Sequence, residues 1–178
     1  MTMMPAGRPV PSDLAEGWTV EIPLPWGTNW LSLNKAPRNL GEKMKWNGWK
    51  KSFRRHAYEA FERRMLPQGL DRIHLQVTLR FPTRGHRDPS NFRPTVKPMI
   101  DALQPHKAYD RRFKRKVFGR MTEGTEHVIE WGWGVIPGDD PRYLVEPEHL
   151  IGEPIGRDPT CPGIVVFRIT PLPADTKR

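Results

Sequence analysis

Residues Arg72 to Arg80 read Arg-Ile-His-Leu-Gln-Val-Thr-Leu-Arg. Apolar and polar side chains alternate without a break. Ile73, Leu75, Val77 and Leu79 fall on one face, and His74, Gln76 and Thr78 fall on the other. A period of two fits a strand and does not fit a helix. A strand with one apolar face needs an apolar layer against it, so the chain has to build a sheet and cover it.

The rest of the sequence supplies the other pieces of such a layer. Thr19 to Leu24 alternates in the same way, with Val20, Ile22 and Leu24 on one side and Pro23 and Pro25 closing the strand. His127 to Trp133 and the β-branched stretch Ile164 to Ile169 read as further strands. The cover is helical. Over 43–65, Trp46, Trp49, Phe53, Ala57, Ala60 and Phe61 recur at steps of three and four. A second helix runs from a cap at Asn91 to Leu103, with Val96, Ile100 and Leu103 as its buried face. The expected architecture is a single α+β domain, a small mixed sheet with two main helices packed on it. With 178 residues the chain suffices for one such core and not for two. Its 20 Pro and 15 Gly imply long irregular connections. Residues 1–17 and 173–178 read as tails around a domain spanning 18–172.

The net charge is +9, which favours polyanionic partners, nucleic acid first. The charge is concentrated. Helix 43–65 carries Lys50, Lys51, Arg54 and Arg55 away from its aromatic stripe. Segment 104–131 opens with Lys107, Arg111, Arg112, Lys114, Arg115, Lys116 and Arg120 against a single Asp110, and such a run either stays mobile or lies on a polyanion. The one cysteine, Cys161, excludes an internal disulfide and fits a reducing cytoplasm. No apolar run is long enough to span a membrane, the N-terminus has no signal-peptide core, and no Gly-rich phosphate loop points to a nucleotide cofactor.

Two acidic clusters stand out on this basic background: Arg87-Asp88-Pro89-Ser90-Asn91, before the second helix, and Gly138-Asp139-Asp140-Pro141, after a strand. Each is a good turn sequence. Each also places carboxylates on loops at the ends of core elements, where they can converge on Mg²⁺. That ion takes oxygen ligands and commonly one or two carboxylates with water and phosphate. Between the clusters, Lys97 and Asp101 are four residues apart and share a helix face.

In order, Arg87-Asp88-Pro89-Ser90-Asn91, Lys97, Asp101-Ala102-Leu103 and Gly134-Val135-Ile136-Pro137-Gly138-Asp139-Asp140 resemble the motif series of the RusA-type Holliday junction resolvases, especially the phage versions. Leu31-Ser32-Leu33-Asn34, followed by a Trp- and Lys-rich helix, is similar to the upstream part of that family, and the likeness spans roughly residues 20–170. The resemblance implies a Mg²⁺-dependent endodeoxyribonuclease, with Mn²⁺ able to substitute, acting on branched double-stranded DNA as a homodimer in recombination, repair or phage DNA processing. It implies that Asp88, Asp139 and Asp140 hold the metal, that Lys97 stabilises the attacked phosphate, and that Ser90, Asn91 and Asp101 support them. Basic residues, Arg87 and those of the helix and of segment 104–131 among them, would track the DNA backbone. The chain departs from the pattern in three ways: Ser90 replaces a family Asp, Gly138 precedes the Asp pair, and segment 104–131 replaces a short turn. The first and third departures motivate an alternative, a structure-selective DNA-binding protein of this fold that has lost catalysis.

Overall fold

The computed structural model describes residues 17–117 and 120–173, with the side chains of 115–117 outside the described set. The tails expected at 1–17 and 173–178 therefore lie almost entirely outside the described residues.

The core is a four-stranded mixed sheet and two helices on one of its faces. Strands β1 (Trp18–Pro23), β2 (Arg72–Arg80), β5 (Glu148–Ile151) and β6 (Ile164–Leu172) lie in the order β1-β6-β2-β5. β6 is antiparallel to both β1 and β2, and β5 runs parallel to β2. The register puts like against like. Val20 faces Phe167 and Ile22 faces Val165. On the other side, Leu75 faces Ile169, Val77 faces Phe167 and Leu79 faces Val165. All of these are essentially fully buried. With side chains alternating across a strand, this register assembles one continuous apolar face.

Helix α1 (Leu40–Arg63) covers that face through Phe53, Ala57, Ala60 and Phe61, and the Phe61 ring lies 5.9 Å from that of Phe167. It starts three residues earlier than the aromatic periodicity predicts, because Asn39 caps it and Glu42 reaches back across the cap. Asn39 Oδ1 accepts from the Glu42 N–H at 2.9 Å, and the Glu42 carboxylate accepts from the Arg38 N–H at 2.7 Å.

Helix α2 (Arg93–Asp101) buries Val96, Met99 and Ile100, with Leu103 buried just beyond its end. Asn91 is not its cap. A 3₁₀ turn over Pro89–Phe92 precedes α2, and the side chain that caps this turn is Asp88. Pro98, an uncomfortable residue for a helix, sits inside α2 and is buried. The buried Thr95 hydroxyl locks α2 to the upstream segment: it accepts from Leu31 N at 2.7 Å and donates to Leu31 O at 3.1 Å.

The largest correction concerns segment 104–131. Its described residues are regular strand. β3 (Pro105–Val117) and β4 (Arg120–Trp133) form a separate two-stranded antiparallel ribbon, so the strand expected at 127–133 is only the proximal end of a longer one. At about 3.3 Å per residue the ribbon is roughly 40 Å long. Trp131 and Trp133 at its root pack on Tyr58 of α1, with ring centroids 5.2 and 5.9 Å apart, and the Trp133 indole donates to Leu66 O at 2.7 Å. The segment 137–163, aperiodic in sequence, contains β5. Among the described residues no helix is long and apolar enough to cross a membrane.

Candidate functional site

The chain leaving β4 is stitched to the end of α2. Trp133 N donates to Ala102 O at 2.8 Å, Gly134 N to Gln104 O at 3.0 Å and Ile136 N to Leu103 O at 3.2 Å. On its other side, Gly69 N and Leu70 N donate to Gly134 O and Val135 O. Gly134 takes the left-handed φ of +82° that this double stitching requires. Val135 and Ile136 are thereby buried, and Asp139 is delivered to the exposed face of α2.

There Lys97 bonds both Asp139 and Asp101, the residue one helical turn further along α2. One ammonium thus sits between two carboxylates from chain segments 38 residues apart, a number that follows from positions 101 and 139. The hydrogen bond from Lys97 is the main reason the Asp139 carboxyl lies below its usual range. Burial pulls the Lys97 ammonium down, and its bonds to Asp101 and Asp139 outweigh that and leave it raised.

The other two expected metal ligands have different partners. Asp140 accepts from the Arg142 backbone N–H at 2.8 Å and pairs with the Arg142 guanidinium at 2.8 Å, which closes the turn that leads to Leu144. These bonds from Arg142 lower its pKa. Asp88 accepts from Ser90 N at 2.9 Å, and hydrogen bonding to Ser90 lowers its pKa as well. The Asp88 loop is held in place by a cluster of rings: Phe81 lies 4.3 Å from Trp30 and 4.9 Å from Phe92. Ser90 is exposed beside Asp88, and Asn91 donates its backbone N–H to Asp88 O at 3.2 Å. The structure therefore gathers Lys97, Asp101 and Asp139, and it uses Asp88 and Asp140 to build turns. Among the described residues no three His, Cys, Asp or Glu side chains form a group able to hold a metal. The two carboxylates brought together, those of Asp101 and Asp139, both face the Lys97 ammonium, and two carboxylates completed by water and phosphate are the kind of donor set that Mg²⁺ or Mn²⁺ takes.

The expected DNA-contacting residues also divide. On α1, Lys51 is exposed and Lys50 half-buried. Arg54 is turned inward onto the ribbon, with only 16% of its side chain exposed. Arg55 pairs with Glu59 at 2.9 Å and lies over the Trp131 ring. Arg87 folds back on its own loop, donating to Thr83 O at 2.8 Å over the Phe81 ring.

On the ribbon, pairing brings Glu126 to Arg111 at 2.8 Å and Glu123 to Lys114. Arg112 is exposed and makes no such pair among the described residues. The side chains of Arg115 and Lys116 lie outside the described residues. Along its own strand the basic run faces only Asp110. The partner strand supplies Glu123, Glu126 and Glu130, a neutralisation visible only once the register is known.

No family model matches the chain, and no curated protein matches it. Fold and site together define a small α+β domain that carries a lysine between two carboxylates at the root of a charged β-ribbon.

Proposed function

We propose that this protein is a metal-dependent endonuclease that cuts phosphodiesters in branched DNA, working as a symmetric dimer in recombination, repair or phage DNA processing. The observation that carries the proposal is the junction of Lys97 with Asp101 and Asp139, at the point where the ribbon joins the body of the protein. A phosphodiester is an anion, and its hydrolysis needs a cation to polarise phosphorus and stabilise the leaving oxygen. Asp101 and Asp139 supply the hard oxygen ligands that Mg²⁺ or Mn²⁺ prefers, and the metal, when bound, supplies an activated water and charge neutralisation. Lys97, already in contact with both carboxylates, would hold a non-bridging phosphate oxygen. Lys51 and Arg112 offer exposed charge and Lys50 half-buried charge to the backbone, a contact that reads shape rather than sequence. A two-fold symmetric four-way junction matches a dimer with one site per subunit.

A second reading has its own observation. Asp88 and Asp140 are engaged in turns, and Ser90 stands where the resemblance calls for a carboxylate, which favours a DNA-binding protein without catalysis. One experiment separates the two. In Mg²⁺, with a four-way junction as substrate, the nuclease reading expects cleavage that Asp139→Asn abolishes while junction binding survives. A folded parent protein that binds junctions and never cuts them in Mg²⁺ or Mn²⁺ establishes the second reading.

A further inference from the structure

Beside the contact between Lys97 and Asp139 opens a cleft of about 310 Å³. Its floor is apolar, made by Val96 and Ile100 of α2 and by Leu144, all at least nine-tenths buried. Its rim carries Arg93, Glu146 and His149 together with the site pair. An apolar floor with a few convergent polar groups is the usual make-up of a small-ligand pocket.

The polar groups on this rim have defined senses. His149 Nδ1 lies 3.0 Å from the Pro147 carbonyl oxygen. A carbonyl only accepts, so Nδ1 carries the proton and Nε2 is left as an acceptor in the neutral ring. Burial pushes the imidazole below its usual value, which keeps it neutral. Glu146 is a second acceptor, held only loosely by Arg93 at 3.8 Å. Arg93 and Lys97 are pure donors with positive charge.

The cleft thus joins an apolar slot, two acceptors and a phosphate-attracting edge. A lipid chain has no use for the acceptors, and a sugar would find too few polar partners on Val96, Ile100 and Leu144. A planar heterocycle with an amino edge, attached to a phosphate, matches all three features.

We propose that this cleft is a nucleobase-binding site, filled by one unstacked base of the bound DNA next to the phosphate at Lys97, with Glu146 and His149 accepting from its exocyclic amine. The inference rests on the nuclease reading for the source of the base. Unstacking costs least where pairing is already interrupted, as at a branch point. Bases that carry an exocyclic amine are favoured over thymine, because the single ring N–H of thymine satisfies at most one of the two acceptors.

The test uses the full chain and four-way junctions with 2-aminopurine placed at successive positions around the branch, in EDTA so that no cutting is needed. Binding is followed separately by anisotropy. The expected result is a rise in 2-aminopurine fluorescence at one position on binding. Leu144→Trp, which fills the slot, should abolish the rise. Glu146→Ala, a change at an exposed position, should reduce preference for an amino base over thymine there by about tenfold. Junction binding with no fluorescence change at any position overturns the proposal.

If the protein binds no DNA, the nuclease reading fails, and a second arm decides the cleft. Deoxyadenosine monophosphate is titrated against the His149 ring signals, identified by their loss in His149→Phe. Shifts assign the cleft to a free nucleotide, and their absence overturns the nucleobase site altogether.

Discussion

Arg54 of α1 donates its Nε hydrogen to the backbone carbonyl of Trp131 on β4 at 2.7 Å. The same guanidinium reaches Glu130 at 3.1 Å and the Asp101 carbonyl at 3.3 Å, so one side chain ties the first helix, the end of the second and the root of the ribbon. Arg54→Met should lower stability by about 2–3 kcal/mol, because it leaves partly buried acceptors without a charged donor. Urea unfolding monitored by Trp fluorescence measures this. A variant as stable as the parent would show that Arg54 is a surface residue free to meet DNA.

The ribbon can be shortened without opening the core. Joining Asp110 to His127, which face each other across the strands, through an Asn-Gly turn removes residues 111–126. Such a dipeptide suits a two-residue hairpin. The unfolding midpoint should stay where it is. Junction affinity should fall, and the log–log salt slope should drop by about 0.9 for each phosphate that the shortened ribbon no longer reaches. Removing only 106–120, one strand of the pair, would leave β4 unpartnered and is expected to cost the fold. An unchanged slope in the shortened protein would limit the ribbon to a structural role.

The root of the ribbon is sterically tight. A Cβ at Gly132 would lie 2.2 Å from the Gln104 carbonyl oxygen and 2.8 Å from that of Pro105. Both obstacles are backbone, so Gly132→Ala must push the strand away from the end of α2. The expected cost is at least about 2 kcal/mol, with loss of the activity that depends on Asp139. Normal thermal stability and normal cleavage in this variant would show that the root is looser than its close approaches imply.

Acid titration should report on the Lys97 cluster. The folded Asp139 carboxyl lies below its ordinary 3.8. A carboxyl depressed on folding adds stability above its ordinary value and loses it as pH falls through the lower folded value. The raised Lys97 ammonium behaves in the opposite sense, and its contribution is lost as pH climbs past 10.5. The stability difference between the parent and Asp139→Asn should therefore be flat near neutrality and shrink as pH falls below about 4. With 42% of the Asp139 side chain exposed, solvent screening keeps the difference small. A gap that widens in acid would contradict the bond to Lys97.

Ser90 lies two residues from Asp88 on the same exposed turn. Ser90→Asp should raise Mg²⁺ affinity or cleavage, since it adds a hard oxygen ligand beside Asp88. Isothermal titration with Mg²⁺ decides it, and an unaltered affinity would show that position 90 takes no part in metal binding.

What is legible in the sequence follows from where side chains are buried. β2 has one face in the core and one outside it, so its alternation names its bounds without error. The stripe from Phe53 to Phe61 is equally plain, because those residues meet the sheet. β3 cannot be read in this way. Both of its faces are largely exposed, so Lys, Arg and Asp occupy both parities and no period of two survives. What makes it a strand is its pairing with β4. β5 is four residues long and exists as the partner of β2's edge.

At the site, the four-residue step from Lys97 to Asp101 is local and can be read. Bringing Asp139 to them depends on the backbone stitches at Trp133, Gly134 and Ile136, which leave no mark in side-chain chemistry. The turn propensities of Asp88-Pro89 and Gly138-Asp139-Asp140 are visible in the sequence, and for Asp88 and Asp140 the turn is what the structure contains.

The ring contacts that fasten the described ribbon to the body lie at its root, and this makes it a lever. Its pivot is the root, where the register shifts between Pro105 and Lys107 and the chain turns at Gly134. A rotation of about 10° there would sweep the far end by roughly 7 Å, given an arm of roughly 40 Å. Five residues past that pivot stands Asp139. A load applied along the ribbon would thus reach first the segment that carries the carboxylate bonded to Lys97.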